Sequence, residues 1–466
     1  MTRGILDQVV AQALRYRESL VSRPVGAHVS RAGLAARADD QLPDAGEPPE
    51  SAIDALVTAA EHGLVGSASG RYFGFVIGGS PLVSVAADWL TSVWDQNAQV
   101  YGTSPAAALV EEIVRAWLLD LLELPREAGM GFVTGAQMAN FAALSVARNE
   151  LLRRHGWDFD SHGLQGAPRI HVVCGECAHS TVLSAVRMMG LGTRNVRAVE
   201  TDDQGRICPK ILEAVLEECH GPTVVCAQAG NVNTGAFDPF VEVAALARTH
   251  GAWLHVDGAF GLWARAAPAL RHLCTGAENA DSWATDAHKW PGVPYDSGLV
   301  ILRDAAAHRS LKTQRCAYAG AETAAHRDGF AWVPENSRRA RGFVLYATLR
   351  HLGRRGVARI VEGCCAHARA LATGLASIPD AHVLNDVVLN QVLCRFAPQG
   401  IADLDAFNEA VAERIQRAGE CWLGTTRWRD RTVLRLSVSN LETSNDDVAL
   451  ALASIRDAAT EELRAR

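Results

Sequence analysis

Lys289 lies in the stretch Ser282 to Pro291, SWATDAHKWP, beside His288 and three residues after Asp286. It is one of three lysines, with Lys210 and Lys312, among 45 basic residues; all the others are arginine. Only a lysine amine can lose its proton and attack a carbonyl carbon, because a guanidinium stays charged. The candidates for such a nucleophile are therefore three. Trp283, Trp290 and Pro291 around Lys289 argue against a free surface lysine.

Three further features fall where an α/β sheet places its ligands, outside the carboxyl ends of strands. In GMGFVTGAQMANFAALSVAR, Gly129, Gly131 and Gly135 precede a helix expected from about Gln137. That turn either aims backbone N–H groups at an anion or is an ordinary tight turn. Asp257 closes the apolar run of HVDGAFG, as a functional acid or as a turn former. His179 follows the run RIHVV, as a ring facing a ligand or as a packed or solvated histidine. An anion turn, a ring, a strand-end acid and an amine together suit pyridoxal phosphate. That cofactor needs a lysine for its Schiff base, an anion site for its phosphate and an acid beside its pyridine nitrogen. Cys174 and Cys177 have C-x-x-C spacing near His179, but no second pair completes a zinc set.

The elements that must position these residues show in the hydropathy pattern. Apolar runs RIHVVCGE, TVVCAQAG, AWLHVDGAF and SGLVILRD alternate with helical stretches such as FVEVAALARTHG. Continuous rather than alternating apolar strands predict a mostly parallel sheet covered on both faces. AAALVEEIVRAWLLDLLEL reads as a helix ended by Pro125. Residues 1–100 read as a helical segment interrupted by the polar, Pro-containing DDQLPDAGEPPES, residues 101–350 as the large domain, and residues 351–466 as a smaller α+β domain. The last of these holds strands in VLNQVLCRFA and TVLRLSVSN and a closing helix from Asn445.

Composition bounds the rest. With 48% hydrophobic and 21% charged residues, a net charge of −7 and a pI near 6.2, the chain reads as a soluble globule without a nucleic-acid footprint. Eleven cysteines without a repeated spacing read as reduced thiols in a cytoplasm. Ile5, Leu6, Val9, Val10, Ala13 and Leu14 form one helical stripe, and Asp7 and Gln8 interrupt any signal-peptide core. No apolar run reaches the ~18–20 residues of a membrane span.

The motifs RYFGFVIGG, TSPAAALVEEIV, TGAQMANFAAL, AHSTVLSAVRMMGLG, GAFDP, HVDGAFG, DAHKW, SRRARG and LNQVLCRF, in this order, resemble the group II pyridoxal-phosphate amino acid decarboxylases. The resemblance runs from about Arg71 to Asp447, and its strongest part is Lys289 following Asp257 by 32 residues. It implies fold type I of the PLP-dependent transferases and a homodimer with shared active sites, the N-terminal helices wrapping the partner. It also implies decarboxylation of an amino acid to the amine and carbon dioxide. Lys289 would carry the cofactor, Asp257 would pair with the ring nitrogen, His179 would stack on one ring face and Ala259 would pack against the other. Backbone N–H groups of Ala136 and Gln137 would face the phosphate, with Asp286 and His288 close by. Tyr318, in RCAYAG, would return a proton to the substrate carbon. Phe75, Val76, Ile77, Tyr101 and Arg338 would meet the substrate, and the apolar character of the first three favours an aromatic or bulky apolar amino acid. Asn231, Val232 and Asn233 stand where many members carry Thr-Thr, and Met138 stands in place of a Glu. An aldehyde-forming oxidase, an aminotransferase on the same fold and a non-catalytic scaffold are the rival readings.

Overall fold

The structure is a computed structural model that describes residues 2–38, 41–312 and 326–466. Two compact units divide the chain: residues 80–366 with 385–391, and residues 1–79 with 367–384 and 392–466. The beginning and end of the chain thus share one unit, where the sequence pattern set them apart.

The larger unit is built on seven strands: β1 (Gly129–Val133), β2 (His171–Gly175), β3 (Val196–Val199), β4 (Thr223–Gln228), β5 (Trp253–Asp257), β6 (Ser282–Asp286) and β7 (Gly298–Leu302). Their order is β1-β7-β6-β5-β4-β2-β3. Neighbours from β6 to β3 pair in parallel, and β7 runs antiparallel between β6 and β1. Every residue of β2, β4, β5, β6 and β7 is buried, as a sheet covered on both faces requires. This is the fold type I architecture expected from the sequence.

The opening stretch of the site is itself a strand. SWATD forms β6, with Trp283 and Ala284 fully buried. Against the sheet lies the helix Ala136–Arg154, which buries Ala139, Ala142, Ala143, Val146, Ala147 and Leu151. Its small residues let the helix approach the strands closely. The expected helix near residue 106 spans Pro105–Leu121. Ser104 caps it, its Oγ accepting the Ala107 N–H at 3.2 Å, and Pro105 takes the first helical position, where no donor is lost.

The smaller unit holds a sheet ordered β10-β11-β9-β8, from β8 (Ala381–Val383), β9 (Gln391–Phe396), β10 (Gly424–Trp428) and β11 (Arg431–Ser437). Its last helix, Asn445–Ala465, opens with a capping box in which Ser444 and Asp447 exchange side-chain and backbone bonds. No helix of the described residues is long and apolar enough to cross a membrane.

One close approach fixes the site's frame. Val133 of β1 and Asp286 of β6 both pair with Gly298, at the start of β7. A Cβ on Gly298 would lie 2.4 Å from the Gly135 Cα, so only glycine lets the strand pass beneath the turn that starts the helix. Gly298→Ala is expected to cost about 1–3 kcal/mol through overpacking and to lower the thermal midpoint by several degrees. Gly363→Ala is the control: this helical glycine has nothing within 4 Å of its Cβ position and should hold or raise the midpoint. Equal midpoints for the two variants would contradict the close-packing account.

Candidate active site

Asp257 is the last residue of β5 and is 6% exposed. An ionised carboxylate in that position needs donors. Its Oδ1 accepts the Ala259 N–H at 3.2 Å, and its Oδ2 accepts Asn140 Nδ2 at 3.1 Å from the facing helix. Asn140 Oδ1 in turn meets His255 Nε2 at 2.9 Å, and His255 Nδ1 meets Ser282 Oγ at 2.9 Å. His255 lies two residues before Asp257, on the same face of β5. Burial pushes its imidazole down to about 4, against the pull of the Asp257 charge. A carboxylate has about four lone-pair sites. Two are met by these donors, and the rest can receive a cation in the cavity.

Asp286 ends the neighbouring strand and does different work. Its backbone is fixed by the bond from its N–H to the Ala259 carbonyl and by Trp263 Nε1, which donates to its carbonyl at 2.8 Å. Its Oδ1 accepts the Ala136 N–H at 2.6 Å, at the start of the helix Ala136–Arg154. Its Oδ2 lies 3.1 Å from Lys289 Nζ. The carboxylate therefore ties the amine to the positive end of the helix. The expectation that the Ala136 N–H faces a phosphate is corrected in this respect, since that donor is taken by Asp286. Lys289 Nζ also stands 5.7 Å from the centre of the Phe260 ring. His288 places Nε2 3.5 Å from Asp286 Oδ1, and its Nδ1 accepts the Ser297 N–H at 3.2 Å. Burial lowers the His288 pKa, with Asp286 acting in the opposite direction.

His179 caps the helix Ser180–Met188, its Nδ1 accepting the Thr181 N–H at 3.3 Å and standing 2.9 Å from the Thr181 hydroxyl. Lys289, Asp257, His179, Ala136, Gln137, Ala259, Asp286 and His288 together line one cavity of about 250 Å³. A single chain thus brings eight of the expected residues to one place. Gly135, Thr181, Gln228, Gly230, Val232 and Phe260 complete the lining, and the sequence reading missed four of them, Thr181, Gln228, Gly230 and Phe260. Val232, singled out as a departure, is an apolar wall where a hydroxyl was looked for.

The other expected residues stand elsewhere. Arg338 is not a lining residue: its guanidinium grips the buried Glu111 in a bidentate pair at 2.5 and 2.7 Å. In this chain two of its N–H groups are held by that carboxylate. Tyr101 stacks on His326, centroids 3.9 Å apart, and does not line the cavity. Phe75, Val76 and Ile77 belong to the smaller unit, where Phe75 is 59% exposed and stacks on Trp422 while Val76 is buried. Phe75 holds φ at 51°, a strained value for a bulky residue. Tyr318 lies outside the described residues. Cys174 packs into the core beside β4, and no group of metal-holding side chains is found among the described residues.

An amine, a ring and a buried acid at the carboxyl ends of parallel strands, beside a helix N-terminus, define a pyridoxal-phosphate enzyme of fold type I. The pyridoxal-dependent decarboxylase conserved domain matches residues 33–397, and the chain belongs to that family of amino acid decarboxylases, whose cofactor is pyridoxal phosphate. It is similar to the aromatic-L-amino-acid decarboxylase of Bacillus atrophaeus, 26% identical over 97% of this chain and 94% of that one. It is also similar to the acidic amino acid decarboxylase GADL1 of Homo sapiens, 27% identical over 90% of this chain and 82% of that one. The solved structure of Oryza sativa TDC with PLP and tryptamine superposes with a TM-score of 0.92 at 24% identity, covering 99% of this chain and 98% of that one.

The buried imidazoles set the acid limit of stability. The unfolded chain binds a proton on His255 below pH ~6.5, whereas the folded one resists it down to about pH 4. His255 therefore contributes about 3 kcal/mol above that window, lost as pH falls through it. The thermal midpoint should fall between pH 6.5 and 4, and His255→Gln should flatten that slope by about one proton. An unchanged slope in the variant would contradict the assignment.

Proposed function

We propose that this decarboxylase acts on an L-amino acid with an aromatic or bulky apolar side chain, releasing the amine and carbon dioxide as a cytoplasmic homodimer. The observation that carries the reading is the convergence of Lys289, Asp257 and His179 on one cavity. When bound there, pyridoxal phosphate supplies a conjugated electron sink that takes up the electron pair left as the carboxylate departs. Lys289 is the amine to hold its aldehyde carbon. Asp257 would keep a proton on its ring nitrogen by charge pairing, and His179 would cover a ring face. Gln137, at the cavity beside the N-terminus of the helix Ala136–Arg154, would face its phosphate. His288, held by Ser297 and Asp286, lines the cavity beside the lysine. Tyr318 is the proposed proton donor to the substrate carbon, through its hydroxyl.

The substrate class rests on RYFGFVIGG. Arg71, its one basic residue, spends its guanidinium on the carbonyls of Leu20, Arg23 and Glu420 within its own unit. By the family resemblance, Phe75, Val76 and Ile77 would then offer a substrate apolar contacts and no partner for a side-chain carboxylate. The aromatic relative supports this reading, and the acidic relative is the rival that the test separates. The dimer is supported by apolar side chains left exposed on two helices. Leu6, Val10 and Leu14 lie on Thr2–Ser19, and Leu90, Val93 and Trp94 on Leu82–Trp94.

Incubation of the purified protein with the common amino acids, reading amine, aldehyde, ammonia and carbon dioxide, tests the reading. Amine and carbon dioxide in equal amounts from an aromatic or branched substrate are expected, and Lys289→Ala should abolish both. Turnover of glutamate or aspartate alone would overturn the substrate class, and aldehyde with ammonia would overturn the amine product. Light scattering should give a mass near twice the chain's 49.9 kDa; a monomer at working concentration would contradict the dimer.

A further inference from the structure

Behind the cavity, side chains from three elements form a buried hydrogen-bonded chain. Trp253 Nε1 donates to Ser282 Oγ at 2.9 Å, Ser282 Oγ meets His255 Nδ1, His255 Nε2 meets Asn140 Oδ1, and Asn140 Nδ2 donates to Asp257. Asn140 Nδ2 lies 3.3 Å from Thr181 Oγ1 as well, and Thr181 Oγ1 lies 2.9 Å from His179 Nδ1. Asn140, His255 and Ser282 are each fully buried.

The ends of this chain dictate every proton in it. An indole N–H can only donate and an ionised carboxylate can only accept. Asp257 takes an Asn140 N–H, so Asn140 Oδ1 faces His255 and requires the imidazole proton on Nε2; His255 Nδ1 is then an acceptor, to which Ser282 donates while it accepts from Trp253. The amide thus turns its two N–H groups outward. One reaches Asp257 Oδ2, and the other reaches Thr181, whose hydroxyl then donates to His179 Nδ1. Reversing the amide would set Asn140 Oδ1 against the Asp257 carboxylate, acceptor against acceptor, and leave His255 Nε2 facing the wrong group. Burial keeps His255 neutral at ordinary pH, so this order is stable.

We propose that Asn140, directed by His255 and Ser282, is a positioning residue for the cofactor: it orients at once the carboxylate of Asp257 and the Thr181 hydroxyl that adjoins His179, whose tautomer the Thr181 N–H sets. The proposal rests on the cofactor reading above. Asn140 supplies donors to both groups that face the cavity without giving Asp257 a proton, so the acid keeps its charge for the ring nitrogen of the cofactor. One amide thus couples the group under the ring's nitrogen to the group over its face.

Two measurements test this on the intact protein. Nitrogen-15 spectra of histidine-labelled holoenzyme should show His255 and His179 with the proton on Nε2. Ser282→Ala, which takes the partner from Trp253 Nε1 and His255 Nδ1, should leave the His255 proton on Nε2, because Asn140 Oδ1 still requires it. Equilibrium binding of pyridoxal phosphate, followed by its absorption and its pH titration, should weaken roughly 10- to 100-fold in both Asn140→Leu and Asn140→Asp, as for the loss of a hydrogen bond to a charged group. Asn140→Asp should also displace the pH titration of the cofactor band, because it sets a second negative charge beside Asp257. A merely structural role would lower stability and leave that titration in place. Cofactor affinity within twofold of the original in both folded Asn140 variants, or His255 protonated on Nδ1, would overturn the proposal. If the unaltered protein binds no cofactor, the functional reading fails instead, and the tautomers still decide whether the chain is ordered as stated.

Discussion

A charged carboxylate at the end of a parallel strand, shut away from water, persists only where donors and a cation answer it. Removing such a group from solvent costs several kcal/mol, and two hydrogen bonds to Asp257 meet part of that. The remainder has to come from the cavity side, where a protonated ring nitrogen is the partner we propose. Strand β5 delivers Asp257 to its carboxyl end, the helix Ala136–Arg154 delivers Asn140 to its flank, and Gly258 with Ala259 turns the backbone N–H onto it. The requirement of that one charge organises the elements around it.

The second carboxylate shows why two acids in one cavity do not duplicate each other. Asp286 binds a backbone N–H at a helix start and an amine across from it. It sets where Lys289 rests and how closely the helix approaches β6. Asp257 touches neither. Opposite environments on adjacent strands give one acid a tethering task and leave the other facing the cavity, a division that depends on β5 and β6 pairing in register, Asp257 against Ala284.

Much of this was legible in the chain. Asp257 and His179 each follow a short apolar run, so their positions beyond strand ends could be read directly. β1 could not, because Gly129 and Gly131 weaken a strand pattern. They are glycine because side chains there would run into Trp332 and His308, a contact far along the sequence. β6 was obscured by Ser282, Thr285 and Asp286, three polar residues whose burial is explained only by partners on other elements. Asn140 stands four residues after Ala136, and His255 two before Asp257. These helix and strand spacings would have pointed both side chains towards the site. The pairing of Arg338 was hidden for the opposite reason, since its partner Glu111 lies 227 positions away and nothing in either motif signals the pair. The sharing of one unit by the two chain ends is likewise a long-range fact.

The amine at position 289 bears the whole account, and three lysines make it directly checkable. Borohydride treatment of the holoprotein, followed by digestion and peptide mass spectrometry, should find the cofactor's mass on the peptide containing Lys289 and on no other. Cofactor fixed to Lys210 or Lys312, or to no lysine at all, would contradict it.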